Sequence, residues 1–225
     1  MNPIRAMVRM HLIDGKPAFV IFWVLLMALY VLSFFLVRFA DGSVQFSGPP
    51  AIYIFLLTLS IVSVRETLPF ALGLGQRRTD FWLATVLYHA GAAAASAVLL
   101  TVLARLEPWI LERTGLSVSF FAWQPLGGQP VHLEWLFHFG TIAVLMAGGF
   151  FVSAVYWRFG LYGLIGLGAA GIFAIVLLRL TGSSGALGEL LNRLGAVTGT
   201  ALVYLALLAL FSALSFLLLR RVTVR

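Results

Sequence analysis

The chain has 225 residues, of which 61% are hydrophobic and only 10% are charged. Soluble domains carry about 25% charged residues, so this composition excludes a soluble enzyme and is typical of a membrane protein. The chain has no cysteine, which excludes disulfides and thiolate chemistry. Its net charge of +7 lies between apolar runs and at the chain ends, where basic residues set topology, so we expect no nucleic-acid partner.

The first predicted element is a short interfacial helix over residues 1–16. Asn2 can cap it, and Pro3 fits its first turn. Basic residues beside an apolar face suit the boundary between lipid headgroups and acyl chains. A frayed basic tail is the alternative. The apolar face would consist of Ile4, Met7, Val8 and Leu12.

Six long runs without Asp, Glu, Lys or Arg are predicted to span the membrane. A spanning helix needs about 20 apolar residues, and backbone groups in hydrocarbon must pair within their own helix. Pro49 and Pro50 are predicted to lie in the first turn of the second span. The predicted spans are residues 17–37, 46–64, 81–104, 135–157, 159–178 and 196–219.

Basic residues predict the orientation of these spans. With the N-terminus inside, ten lysine and arginine residues face the cytoplasm and five face outward. We find no cleavable signal peptide in the sequence. The prediction is therefore an all-α, multi-pass protein with one transmembrane domain, both termini in the cytoplasm and a location in the bacterial cytoplasmic membrane.

Residues 65–80 form the only internal loop of any size. Its middle, 68–74, is apolar and charged residues flank it; Pro69 is predicted to interrupt the second span, and Gly73 and Gly75 permit a bend. An apolar patch at the cytoplasmic surface favours docking of a partner protein. A loop whose arginines only fix orientation is the alternative. The predicted contact residues are Arg65, Glu66, Leu68, Pro69, Phe70, Gly73, Gly75, Arg77, Arg78 and Asp80.

This layout resembles the permease subunits of ATP-binding-cassette (ABC) transporters of the six-helix exporter class. The stretch 66–82, ETLPFALGLGQRRTDFW, is similar to the family's pattern of an acidic residue, an apolar stretch, then Gly-x-x-Arg and an aromatic residue that opens helix three. Gly75, Arg78, Phe81 and Trp82 fill the last positions. The long outer loop between spans three and four, residues 105–134, departs from the family layout.

The resemblance implies an N-terminal elbow helix, six spans and a coupling helix between spans two and three. Residues 65–80 would contact a separate ATPase subunit, which would bind ATP and Mg²⁺, since this chain has no GxxxxGK[ST] phosphate loop and binds no cofactor itself. A second permease, identical or related, would complete the path. The chain would not be an enzyme. The expected substrate is hydrophobic or amphipathic, such as a drug, a lipid or a peptide.

Tyr88 and His89 are adjacent near the middle of the third predicted span. Polar groups at that depth are costly and often functional, so Tyr88 and His89 are candidates for lining the translocation path. A histidine that is hydrogen-bonded to another helix is the alternative. The other histidines and acids give too sparse a ligand set for a metal site.

Other functions stay open. A substrate-capturing subunit of a vitamin-type uptake transporter would typically carry Ala-x-x-x-Ala in its first span, where this chain has only Ala18 and Ala28. A membrane enzyme would need converging acid, histidine or serine groups. The GSSG stretch at 182–185 matches the GxSG motif of rhomboid proteases, but no histidine follows it to accept the serine proton. A non-catalytic assembly or immunity factor is the fourth possibility.

Overall fold

A computed structural model describes residues 3–40, 44–45, 48–114, 118–121, 130–180 and 196–220. The predicted all-α class is confirmed. Apart from the helices, two two-residue strands, β1 and β2, pair in parallel with Val44 opposite Val118. The elements are α1 (Pro3–Ala40), β1 (Val44–Gln45), α2 (Gly48–Gly73), α3 (Arg78–Thr114), β2 (Val118–Ser119), α4 (Val131–Leu180) and α5 (Ala196–Leu219).

Within those ranges, five helices are long and apolar enough to cross a membrane, so this is a multi-pass membrane protein. The sequence predicted six separate spans. The structure differs because the predicted spans 135–157 and 159–178 both lie in α4, which consists of two helical parts that meet at a kink two residues after Arg158. The backbone leaves the helical conformation only at Gly160, where φ is 65° and ψ is −155°. Glycine, which lacks a Cβ atom, adopts such angles readily.

The first helix also differs from the prediction, which separated an interfacial helix over 1–16 from a span over 17–37. α1 is continuous, and Pro17 lies inside it. Proline leaves one carbonyl in the preceding turn without its usual partner, here that of the exposed Ile13. A helix of 38 residues is about 57 Å long, whereas the hydrocarbon core is about 30 Å thick. Part of α1 must therefore lie outside the hydrocarbon, or the helix must be strongly tilted.

α2 and α3 are both longer than the predicted spans 46–64 and 81–104. α2 continues through Pro69 to Gly73, so Pro69 does not interrupt it, and α3 begins at Arg78. The carbonyl of Arg65, which Pro69 cannot bond, belongs to an exposed residue. The predicted loop 65–80 is therefore mostly helical, and only four residues separate the two helices. Pro49 and Pro50 lie in the first turn of α2, as predicted.

Side-chain contacts show that α2 runs parallel to α4. The Tyr53 hydroxyl lies 2.6 Å from His138 Nδ1, and further along both helices the Ser153 hydroxyl donates to the Ile61 carbonyl at 2.8 Å. The second contact lies further toward the C-terminal end of both helices than the first. Because α2 and α4 are parallel, both begin at the same end of the bundle.

α5 also runs parallel to α4. The Thr141 and Tyr204 hydroxyls lie 2.7 Å apart, and the rings of Phe151 and Phe211 stack with their centroids 5.8 Å apart. The chain must therefore reverse its direction between the first part of α4 and the start of α5.

α3 runs antiparallel to α4. Near the end of α3, Arg105 forms an ion pair of 2.8 Å with Glu134, at the start of α4. Earlier in α3, His89 meets the ring of Phe150 edge-on, further along α4. α1 runs parallel to α3, because His11 lies beside Thr85 and Gly15, further along α1, lies beside Tyr88, further along α3.

One end of the bundle brings together the start of α1, the end of α2, the start of α3 and the end of α5. An apolar cluster there contains Met7, Leu68, Phe81, Phe150 and Leu219. We call this the basic end. The arginines around it are Arg5, Arg9, Arg65, Arg77, Arg78, Arg158 and Arg220.

At the opposite end, a buried carboxylate organises the segment after α3. Glu107 is 1% exposed and accepts hydrogen bonds from the backbone N–H groups of Phe120 (2.7 Å) and Phe121 (3.0 Å). The carbonyl of Phe120 accepts the N–H of Gly48, the first residue of α2. Glu107 therefore connects the end of α3 to the start of α2.

Candidate functional site

The turn between α2 and α3 is a short, hydrogen-bonded structure at the basic end. Gln76 donates its backbone N–H to the Ala71 carbonyl at 3.1 Å, and Gly75 donates to Leu72 at 3.0 Å. These two bonds form a Schellman motif, which satisfies the last carbonyls of a helix. Gly75 has a φ of 73°, in the left-handed region that glycine favours. The predicted bend is therefore located at Gly75, and the turn is tightly fixed to the end of α2.

The segment 65–80 has a buried face and an exposed face. Leu68 and Ala71 are fully buried in the apolar cluster of the basic end. Phe70 is 58% exposed and Leu74 is 62% exposed. We call Phe70 and Leu74 the apolar tip. The turn therefore presents a small apolar surface away from the bundle, while its other face is packed into the bundle.

The charged residues around the tip have different roles. Arg77 and Glu66 are exposed. The guanidinium of Arg65 lies 5.1 Å from the ring centroid of Tyr156, an arrangement that favours a cation over an aromatic face. Asp80 lies in the first turn of α3, where the helix dipole favours an acid. Arg77 is thus a cation available to a partner.

Arg78 has a structural role. Its Nη1 donates to the carbonyl of Arg220, just past the end of α5, at 2.8 Å. A cation at a helix C-terminus bonds the unpaired carbonyls and interacts favourably with the helix dipole. Arg78 therefore joins the turn to α5. The sequence could not reveal this contact, because the two residues are 142 positions apart.

An open groove of about 710 Å³ lies beside the turn. Residues 69–79 contribute most of its lining, and Arg220 closes it from the end of α5. Among the residues that the structure describes, three arginines and no carboxylate line the groove, so it favours a partner segment that carries negative charge.

The structure places most of the ten predicted contact residues at the surface of the basic end. Leu68 is the exception, because it is fully buried beneath the tip. Pro69, Arg78 and Asp80 are half-buried. The exposed members are Arg65, Glu66, Phe70, Gly73, Gly75 and Arg77.

The two residues predicted for the translocation path are both buried, and their rings lie 5.7 Å apart. Tyr88 stacks on His11 of α1 with ring centroids 5.2 Å apart, and its hydroxyl lies against Gly15. His11 in turn lies 3.0 Å from the Thr85 hydroxyl. Tyr88 therefore belongs to the contact that holds the start of α1 parallel to α3.

His89 lines a cavity of about 260 Å³ between α3, α4 and α5. Its neighbours in the lining include Phe150, Ala147 and Ser212. The rings of Tyr88 and His89 lie 5.7 Å apart, so the structure keeps the predicted pair together, and of the two His89 alone belongs to the cavity lining. Comparison of the chain with protein-family models, with curated proteins and with solved structures finds no match in any of the three.

Proposed function

We propose that this chain is the membrane-spanning permease subunit of an ATP-driven exporter, and that a separate ATPase subunit docks on its basic end. The observation that carries the proposal is the exposed apolar tip, Phe70 and Leu74, with the exposed side chain of Arg77 three residues further along the chain. The tip stands on a turn that is fixed to α2 by its hydrogen bonds and to α5 through Arg78. A partner that binds both the apolar tip and the arginine-lined groove would gain apolar burial and charge complementarity together.

The packing beneath the tip supports transmission of movement from such a partner. Leu68 and Phe81, on either side of the turn, are fully buried against Phe150 of α4 and Leu219 of α5. Packed interfaces of this kind move as units rather than deform continuously. A partner that shifts the turn would therefore shift four helices together, which is what coupling ATP hydrolysis to transport requires.

Two observations support six membrane crossings, of which α4 would supply two. Both the start of α1 and the end of α5 lie at the basic end, so a bundle that spans the membrane must cross it an even number of times. α4 and α5 are parallel, so the chain between them must return. The helical residues 161–180, after the Gly160 break, are about 30 Å long, the thickness of the hydrocarbon core. Tyr162, 87% exposed, is typical of their outward-facing surface.

In the proposed complex, the basic end faces the cytoplasm, as the excess of arginine there favours. A second permease subunit, identical or related, completes the path, and membrane lipid surrounds both. ATP and Mg²⁺ bind to the ATPase subunits. The substrate is hydrophobic or amphipathic, because the membrane-spanning lengths carry few ionisable groups.

The orientation can be measured with single cysteines, because the chain has none of its own. Thr79→Cys lies at the basic end, Glu112→Cys at the opposite end, and Ser184→Cys follows the proposed fifth crossing. We expect a membrane-impermeant maleimide to label the last two in intact cells and Thr79→Cys only after permeabilisation. Labelling of Thr79→Cys in intact cells would overturn the cytoplasmic docking end. Protection of Ser184→Cys would contradict the fifth crossing and, with it, the count of six crossings.

Docking can be tested by affinity purification from the native membrane in mild detergent. We expect a protein with a GxxxxGK[ST] loop to co-purify in stoichiometric amount, and the eluate to hydrolyse ATP. Leu74→Glu and Arg77→Glu should each reduce the co-purified ATPase about tenfold, because one places a charge in the apolar contact and the other reverses a charge on the groove.

Arg5→Glu is the matched control, since Arg5 is exposed at the same end but outside the turn. It should leave the co-purified amount unchanged. Arg78→Glu is unsuitable for this test because it also removes the hydrogen bond to Arg220. A chain that purifies without any ATPase, or variants that retain it in full, would contradict the proposed function.

A further inference from the structure

The arginine-lined groove beside the turn is held in shape by contacts between α3 and α5. The Trp82 indole donates to the Ser215 hydroxyl at 3.2 Å, and Arg78 donates to the Arg220 carbonyl at 2.8 Å. The two contacts lie about one turn apart on each helix, so they fix the start of α3 against the end of α5. The groove is therefore formed before a ligand enters it, which lowers the entropic cost of binding.

The charge of the groove restricts the chemistry of its ligand. Arg77 and Arg220 are exposed and Arg78 is half-buried, and no carboxylate is found among the described residues of the lining. The start of α3 adds the partial positive charge of its helix dipole. A ligand with net negative charge is attracted here, whereas the cationic group of a zwitterion would be repelled by the same arginines.

The position of the groove brings it to the level of the lipid headgroups. Its lining residues Arg78 and Arg220 lie just outside the predicted spans 81–104 and 196–219. Pro69 and Leu72, both half-buried, add an apolar part to the same lining. The volume of about 710 Å³ falls within the range of about 300–1,000 Å³ that is usual for small-molecule sites. The groove thus suits a ligand with an anionic head and an apolar body.

We propose that this groove binds the headgroup of an anionic phospholipid, with its phosphate against Arg77 and Arg220 and its glycerol and upper acyl carbons over Pro69 and Leu72. Basic pockets between membrane-spanning helices on the cytoplasmic side are known sites for such headgroups. Binding stands on the groove itself. An ATPase that uses the same arginines would have to displace the lipid, so bound lipid competes with docking, and this second step rests on the proposed function.

Native mass spectrometry of the purified full-length chain in detergent tests the site. The probes are dioleoylphosphatidylglycerol, which is anionic, and dioleoylphosphatidylcholine, which has the same acyl chains and is zwitterionic. We expect the first molecule of the anionic lipid to bind about tenfold more tightly than the zwitterionic one. Arg77→Gln and Arg220→Gln should each weaken binding of the anionic lipid about fivefold, the effect of one basic residue near a headgroup. Arg220→Gln keeps the backbone carbonyl to which Arg78 donates.

Thr79 allows a test that leaves every arginine in place. It lines the groove, is exposed and lies in the first turn of α3, where an acid is compatible with the helix dipole. Thr79→Glu should remove the preference for the anionic lipid, whereas Thr79→Gln, of the same length but uncharged, should retain it. Arg5→Gln removes an exposed arginine at the same end but outside the groove and should leave binding unchanged.

Equal affinity for the two lipids would overturn the site, as would equal binding of the anionic lipid by Thr79→Glu and Thr79→Gln. A loss with Arg5→Gln as large as that with Arg77→Gln would assign the effect to net charge and also contradict the groove. Release of the lipid by excess inorganic phosphate would show a site for free anions instead. The assay contains no ATPase, so its failure would leave the proposed docking untouched, and loss of ATPase co-purification would leave the lipid result unchanged.

Discussion

Replacing Glu107 with alanine is expected to destabilise the protein by about 3–5 kcal/mol. The buried carboxylate accepts the backbone N–H groups of Phe120 and Phe121, one on each oxygen. Alanine would leave both donors buried without these partners, and each such donor costs about 1–3 kcal/mol. The smaller side chain would also leave a void against the two aromatic residues. Unfolding in mixed micelles, by titration with a denaturing detergent, measures the difference in free energy.

Glu107→Gln provides a finer comparison. Its amide oxygen can accept one N–H group, but its amide nitrogen would face the other donor, so we expect an intermediate loss of about 2 kcal/mol. Glu112→Ala changes an exposed carboxylate in the last turns of the same helix and should lie within about 0.5 kcal/mol of the parent chain.

Hydrogen exchange would locate the effect of Glu107→Ala. Phe120 and Phe121 both pack against Tyr30 of α1, with ring centroids 5.4 and 5.0 Å away, so loss of the carboxylate should expose their amides and loosen that contact. Faster exchange confined to this end of the bundle would support the assigned role. Unchanged stability and unchanged exchange in the alanine variant would contradict it.

Local sequence signals predicted the parts of the fold that local physics decides. Long uncharged runs predicted spanning helices, because lipid leaves the backbone no other partner. Pro49 and Pro50 predicted the first turn of α2, where a missing N–H costs nothing. Gly75 was correctly predicted as a place where the chain can bend, because its left-handed φ needs a residue without a side chain.

The signals failed where tertiary packing overrides local preference. Pro69 was predicted to interrupt a helix, but buried neighbours on either side, Leu68 and Ala71, hold α2 together across it. Glu107 was placed in an outer loop, yet it lies inside α3. Its partners are 13 and 14 residues further along the chain, and no periodic pattern in the sequence indicates such a pairing.

The candidate sites, too, were predictable only as far as local sequence decides them. Charge and hydropathy in the sequence located the segment 65–80 and predicted an apolar patch over 68–74. The exposed tip, Phe70 and Leu74, lies within that patch. Whether a given side chain faces the cavity, the lipid or another helix depends on how each helix is rotated in the bundle. The sequence grouped Tyr88 with His89, and their rings do lie 5.7 Å apart, but it could not show that Tyr88 also stacks on His11 of α1 while His89 meets Phe150 of α4.

Gly149→Ala is expected to destabilise the bundle by about 2–3 kcal/mol, because it would separate α2 from α4. A Cβ atom added at Gly149 would collide with the Ser60 hydroxyl oxygen and lie 2.9 Å from the backbone carbonyl oxygen of Leu57. The Ser60 side chain could rotate, but the carbonyl belongs to the backbone of α2 and can move only with the helix. Small residues at such crossings let helices in a membrane approach closely.

The neighbouring Gly148 is the matched control for this prediction. A Cβ atom there would lie 3.6 Å from the Phe211 ring, an ordinary contact, so Gly148→Ala should be neutral or stabilise the helix by up to about 1 kcal/mol. Thermal stability of both variants in the same detergent, followed by gel filtration after heating, gives the comparison. Gly149 lies beside Phe150, which packs against Leu68 and Phe81 on either side of the turn between α2 and α3, so the alanine variant should also loosen the packing of that turn on α4. If the two alanine variants are equally stable, the close approach of α2 and α4 at Gly149 is not what holds these helices together.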